Sequence, residues 1–111
     1  MNALVSGQEL LRVDELADPC ALVVPIDVYA SLIVTRRGDA IAAFRNRCPH
    51  AGYPLQRADG RIVVQEGRFM VCGAHGASFR LDDGACASGP CNGDGLERVA
   101  IVVRDGMVCV A

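Results

Sequence analysis

Lysine is absent from the 111 residues, so arginine carries all of the side-chain positive charge apart from histidine. Against 13 acidic residues the 11 arginines leave a formal charge of -2. That balance supplies neither the basic footprint of nucleic-acid binding nor a polyacidic tail, so nucleic acid is not an expected partner. No stretch approaches the ~20 apolar residues of a membrane span. Residues Met1 to Arg12 lack the basic start and apolar run of an export signal, which makes a soluble cytoplasmic protein without membrane contact the expectation. Nicotinamide and flavin fingerprints are missing, and helical periodicity is confined to Val13–Ala17, one turn that Asp18 and Pro19 would end.

The chain does contain a core: 51% of its residues are apolar, enough for one domain over residues 1–111 without disulfides as the main support. The β-branched run Ala21–Thr35, the turn at Arg37, Gly38 and Asp39, and the apolar run Ala40–Phe44 read as a hairpin. Further strands are predicted over Arg61–Gln65, Arg68–Cys72, Val99–Arg104 and Met107–Ala111. Asp105-Gly106 between the last two is a strong short-hairpin signal. The fold class is therefore all-β. Two stretches rich in Gly, Pro, Asn and Asp, residues 46–60 and 82–95, are too long for tight turns, and long loops on a rigid scaffold are where function usually sits.

Histidine occurs only twice, and each time beside a cysteine: Cys48-Pro49-His50 in one segment, Cys72-Gly73-Ala74-His75 in another. Two soft thiolates and two imidazoles form a four-ligand set that suits tetrahedral zinc or an iron-sulfur cluster of mixed ligation. The C-x-H spacing is tighter than the usual zinc knuckle, which argues against zinc without deciding the matter. The remaining cysteines divide. Cys86 and Cys91 flank Gly89-Pro90 and could form a redox pair or disulfide, whereas Cys20 and Cys109 read as small core residues. Arg45, Arg47, Arg57 and Arg80 lie around the two segments and could form a positive rim that steers an acidic partner.

The stretches Asn46-Arg47-Cys48-Pro49-His50-Ala51-Gly52-Tyr53-Pro54-Leu55 and Cys72-Gly73-Ala74-His75-Gly76-Ala77-Ser78-Phe79 closely resemble the two cluster-binding boxes of the Rieske family. Asp83-Gly84 and Gly89-Pro90 match its third element, and the 21 residues between His50 and Cys72 only lengthen the hairpin between boxes. The resemblance implies stacked antiparallel sheets with a small cluster-binding subdomain, about residues 45–92, formed by two loops. It implies one [2Fe-2S] cluster, with Cys48 and Cys72 on one iron and the Nδ1 atoms of His50 and His75 on the other. Glycines 52, 73 and 76 would let backbone crowd the cluster, Pro49 and Pro54 would stiffen the first loop, and Pro90 would close a third side.

Tyr53 and Ala74 stand where respiratory Rieske proteins have a disulfide between the loops, so that clamp cannot form. Ala77 and Phe79 replace a serine and a tyrosine whose hydroxyls stabilise the reduced cluster. A potential near the low end of the Rieske range, about -150 mV, is the expectation, with a pH dependence from the outer histidine nitrogens. Both histidines being used, no mononuclear iron site remains, and no substrate site is evident. The implied function is a one-electron carrier, like the ferredoxins of ring-hydroxylating dioxygenases, between a reductase and a terminal oxidoreductase. Alternatives are a non-catalytic subunit similar to that of nitrite reductase, or an iron-sulfur redox sensor.

Overall fold

The computed structural model describes residues 4–49, 52–74, 76–89 and 93–111. Its strands in chain order are β1 (Glu9–Arg12), β2 (Cys20–Pro25), β3 (Ser31–Arg37), β4 (Ala40–Arg45), β5 (Val63–Gln65), β6 (Phe69–Val71), β7 (Ser78–Arg80), β8 (Cys86–Ser88), β9 (Arg98–Val99), β10 (Ile101–Arg104) and β11 (Met107–Val110). A 3-10 turn, Val13–Glu15, lies where a single helical turn is predicted. The strands form three antiparallel sheets, ordered β1-β11-β10, β2-β3-β4-β9 and β5-β6-β7-β8. The all-β expectation holds.

The sheet β2-β3-β4-β9 is the middle layer, and its sequence shows why. Successive residues Leu32, Ile33, Val34 and Thr35 of β3 are all buried, a continuous apolar run of the kind that needs cover on both faces. Side chains alternate across a strand, so Ile33 joins Ala42, Phe44, Met70 and Phe79 in one core, while Leu32 and Val34 join Leu11, Ala43 and Val108 in the other. Each large side chain withdrawn from water in this way stabilises the fold by roughly 1.5–3 kcal/mol. Thr35 is the polar exception. It faces the β7 side, where its Oγ1 donates to the Leu81 carbonyl at 2.6 Å and ties the middle sheet to the end of β7.

Two expectations need correction. The run Ala21–Thr35 is not one strand but a hairpin in itself, β2 and β3, because Pro25 has no N–H to extend the ladder and Asp27 turns the chain by accepting the Tyr29 N–H at 2.7 Å. Val28 and Tyr29 stand exposed at its tip. The run Val99–Arg104 is likewise divided, β9 pairing with β4 and β10 with β11. The Asp105-Gly106 hairpin forms as predicted, with φ of 50° and 76° at the two turn residues. Strands β1, β7 and β8 carry no adequate sequence signal. β8 sits inside a segment read as loop and exists through pairing with β7.

Candidate metal centre

Each Cys-His segment folds onto the same backbone frame. In the first loop the Cys48 N–H donates to the Tyr53 carbonyl at 2.8 Å and the Gly52 N–H donates to the Cys48 carbonyl at 2.7 Å. In the second, the Cys72 N–H donates to Ala77 O at 2.7 Å and the Gly76 N–H to Cys72 O at 3.1 Å. Both turns close through a glycine of positive φ, +77° at Gly52 and +73° at Gly76, a conformation that a side chain strains. Added Cβ atoms there would meet only ordinary contacts or open space within the protein, so the torsion explains these two glycines. Gly73 is different: a Cβ would lie 3.1 Å from Arg57 Cγ, so close approach is its reason.

The cysteines at the heads of the two loops are 0% and 1% exposed, and both belong to the core cluster that contains Leu55, Ala77 and Phe79. Two free thiols are thus brought into one apolar region by two matched turns. A site of soft ligands shielded from water suits a thiolate-bound metal or cluster, whose charge the surrounding backbone N–H groups can offset. His50 and His75, the other two candidate ligands, lie outside the described residues, as do Pro90 and Cys91.

The loops are joined to each other through Leu55. Its carbonyl accepts the Gly73 N–H at 3.0 Å, and its N–H donates to Asn46 Oδ1 at 2.8 Å. Asn46 Nδ2 donates to Ser31 Oγ at 2.9 Å and to Gln56 Oε1 at 2.7 Å. Asn46 belongs to the first box, and its only signal in the sequence is an amide at the end of a buried strand. A third side comes from the end of β8. Gly89, at φ +91°, would drive a Cβ to 2.8 Å from Ala77 Cα, and Ser78 and Ser88 share a hydroxyl hydrogen bond of 2.7 Å. Asp83-Gly84 packs differently, with Gly84 against the ring of Phe44, where a Cβ would approach to 2.6 Å.

The positive rim is smaller than the sequence suggests. Arg45 pairs with Glu97 at 3.2 Å, and Arg80 meets Asp82 and Asp83 at 3.3 and 3.5 Å, which holds the Asp82 carboxyl below the usual range. Arg47 and Arg57 keep no carboxylate partner among the described residues. Arg47 borders an open groove of about 970 Å³ that runs from the first loop to Val28 and Tyr29. Among the other cysteines, Cys20 and Cys109 are buried free thiols, and burial pushes the Cys20 thiol up, away from reactivity. Cys86 is disulfide-bonded.

Comparison with known proteins agrees with this geometry. A search of curated proteins returned no match. Among solved structures, a ferredoxin of Sphingomonas yanoikuyae B1 superposes with a TM-score of 0.74 at 26% identity, over 94% of this chain and 96% of its own. A chain from the complex of reduced oxygenase and oxidized ferredoxin in carbazole 1,9a-dioxygenase gives 0.75 at 26% identity, covering 93% of this chain and 90% of that one. The ferredoxin of carbazole 1,9a-dioxygenase from Nocardioides aromaticivorans IC177 gives 0.73 at 23% identity, over 96% and 98%, a likeness of fold. Residues 7–104 match the family model described as the Rieske [2Fe-2S] domain. That match spans both boxes and every strand except β11, and the chain belongs to the Rieske [2Fe-2S] domain family, whose cofactor is a [2Fe-2S] cluster.

Proposed function

We propose that this chain is a one-electron carrier, a single Rieske domain over residues 1–111 whose cluster is held by Cys48, His50, Cys72 and His75. The observation that carries the reading is the pair of equivalent turns that bury Cys48 and Cys72 in one core, each with a histidine two or three residues further on. When bound, the cluster supplies reversible one-electron chemistry, at a higher potential than all-cysteine ligation because two neutral imidazoles replace two thiolates. The protein's own part is to exclude water from the thiolates, to align backbone N–H groups with the turns, and to leave the ligand-bearing loops at one end of the sheet scaffold.

The partners are redox proteins, a reductase on one side and a terminal oxygenase or similar oxidoreductase on the other, and the chain is a non-catalytic component of that system. The ferredoxin relatives support this assignment, as does the complex of oxygenase and ferredoxin among them. Among the described residues no helix is long and apolar enough to cross a membrane. Iron and acid-labile sulfide analysis, with an EPR spectrum of dithionite-reduced protein, tests the proposal. Equal iron and sulfide with a rhombic signal of mixed Cys-His ligation is the expected result; colourless, zinc-loaded protein overturns it.

A further inference from the structure

We infer that Asn46 is a positioning residue that locks the two cluster loops to each other and to β3, and so sets the environment of the cluster without touching it. The inference rests on the ligand assignment proposed above. Asn46 is 9% exposed, among the few buried polar side chains. Every hydrogen-bonding direction of its amide that matters is engaged. Leu55 N–H can only donate, so the atom facing it at 2.8 Å is Oδ1, and Nδ2 is left with two protons for two acceptors, Ser31 Oγ at 2.9 Å and Gln56 Oε1 at 2.7 Å. The Asn46 main chain adds a bond to Ser31 O at 3.0 Å.

The consequence lies in what these groups hold. Ser31 opens β3, Asn46 precedes Cys48 by two residues, and Leu55 closes the first loop. The Leu55 carbonyl in turn accepts from Gly73, the residue directly after Cys72. A single amide therefore spans the first loop from its entry to its exit, and through Leu55 it sets the height of the second loop against the first. The chain of bonds from Asn46 through Leu55 to Gly73 thus joins the two loops.

The test uses full-length protein carrying its cluster and compares wild type, Asn46→Ala, Asn46→Asp and the double variant Ser31→Ala/Gln56→Ala. Readouts are the rate of bleaching in excess chelator, the EPR g values of the reduced protein and the midpoint potential, alongside the thermal midpoint. Asn46→Ala strands the buried Leu55 N–H, and bleaching is expected to accelerate about tenfold, with shifted or broadened g values. Asn46→Asp keeps the acceptor for Leu55 and should restore near-wild-type g values, while the double variant should move bleaching in the direction of Asn46→Ala by a smaller factor. An Asn46→Ala protein that melts earlier yet bleaches and resonates like wild type shows a merely structural role and overturns the inference. If Asn46→Ala does not fold, the double variant decides alone: unchanged bleaching and g values overturn the inference. Wild-type protein without iron and sulfide overturns the ligand assignment itself, whereas a loaded wild type matched by its variants overturns only the role of Asn46.

Discussion

The two cluster loops share one backbone frame and differ in what holds it. The first is fastened from inside by a polar side chain, Asn46, which reaches β3, Gln56 and Leu55. The second shows no such amide among the described residues; it is held by Gly89 packed on Ala77 and by the hydroxyl hydrogen bond between Ser78 and Ser88. Equivalent turns can thus be fastened by one amide in one place and by a packed glycine with a hydroxyl pair in another. The first mechanism responds to loss of a polar group, the second to any gain of volume.

The largest effect should fall equally on both loops. Cys48→Ser and Cys72→Ser each remove a thiolate proposed as a ligand, and both proteins should be purified without the visible absorption of the cluster; retention of full colour by either would break the equivalence. Next come the glycines. Gly89→Ala forces a methyl to within 2.8 Å of Ala77 Cα in a left-handed conformation, and overpacking with torsional strain should cost about 2–4 kcal/mol by denaturant unfolding. Gly52→Ala and Gly76→Ala meet no such clash and should each cost only about 1–2 kcal/mol. If the frames are truly alike those two values will agree, and a gap wider than the Gly89 penalty would show that they are not.

A subtler difference concerns the cluster itself. Ala77 is fully buried in the second loop and presents only a methyl there. Ala77→Ser should raise the midpoint potential by about 40 mV if the new hydroxyl reaches the cluster, read by redox titration against the wild-type value expected near -150 mV. A wild-type potential well above zero would remove the comparison. The smallest effect is at Asp82, beyond β7, whose carboxyl is held low mainly by its hydrogen bond to Arg80. Its stabilising contribution is complete above the ordinary value of 3.8 and is lost as pH falls below it through the lowered folded value. Thermal melts at decreasing pH should therefore show a slightly gentler acid limb for Asp82→Asn than for wild type.

Local chemistry made part of this protein legible without coordinates. The Asp105-Gly106 hairpin follows from two residues that tolerate positive φ, and strands β3 and β4 follow from β-branched and apolar runs around the turn at Gly38. The Cys-His spacing and surrounding boxes pointed to the family that residues 7–104 match, because ligand chemistry restricts residue type at such positions. The division of Ala21–Thr35 was harder to see, since Val28 and Tyr29 favour strands as isolated residues while Pro25 and Asp27 turn the chain between them. Strands β7 and β8 are three residues each and form through pairing, β7 between β6 and β8 and β8 at the sheet edge.

What the sequence by itself determined, then, is an all-β chain of the Rieske [2Fe-2S] domain family, because strand patterning and the two short Cys-His boxes follow from residue type and short spacing. Tertiary structure alone decided that Asn46 links β3 to both loops, that Gly89 is required by Ala77, and that Arg45 and Arg80 are paired with carboxylates while Arg47 meets none among the described residues. Those relations join residues separated by up to 52 positions in the chain, as between Arg45 and Glu97. Hydrogen bonds, excluded volume and charge act across distances in space, and separation along the chain carries no record of them.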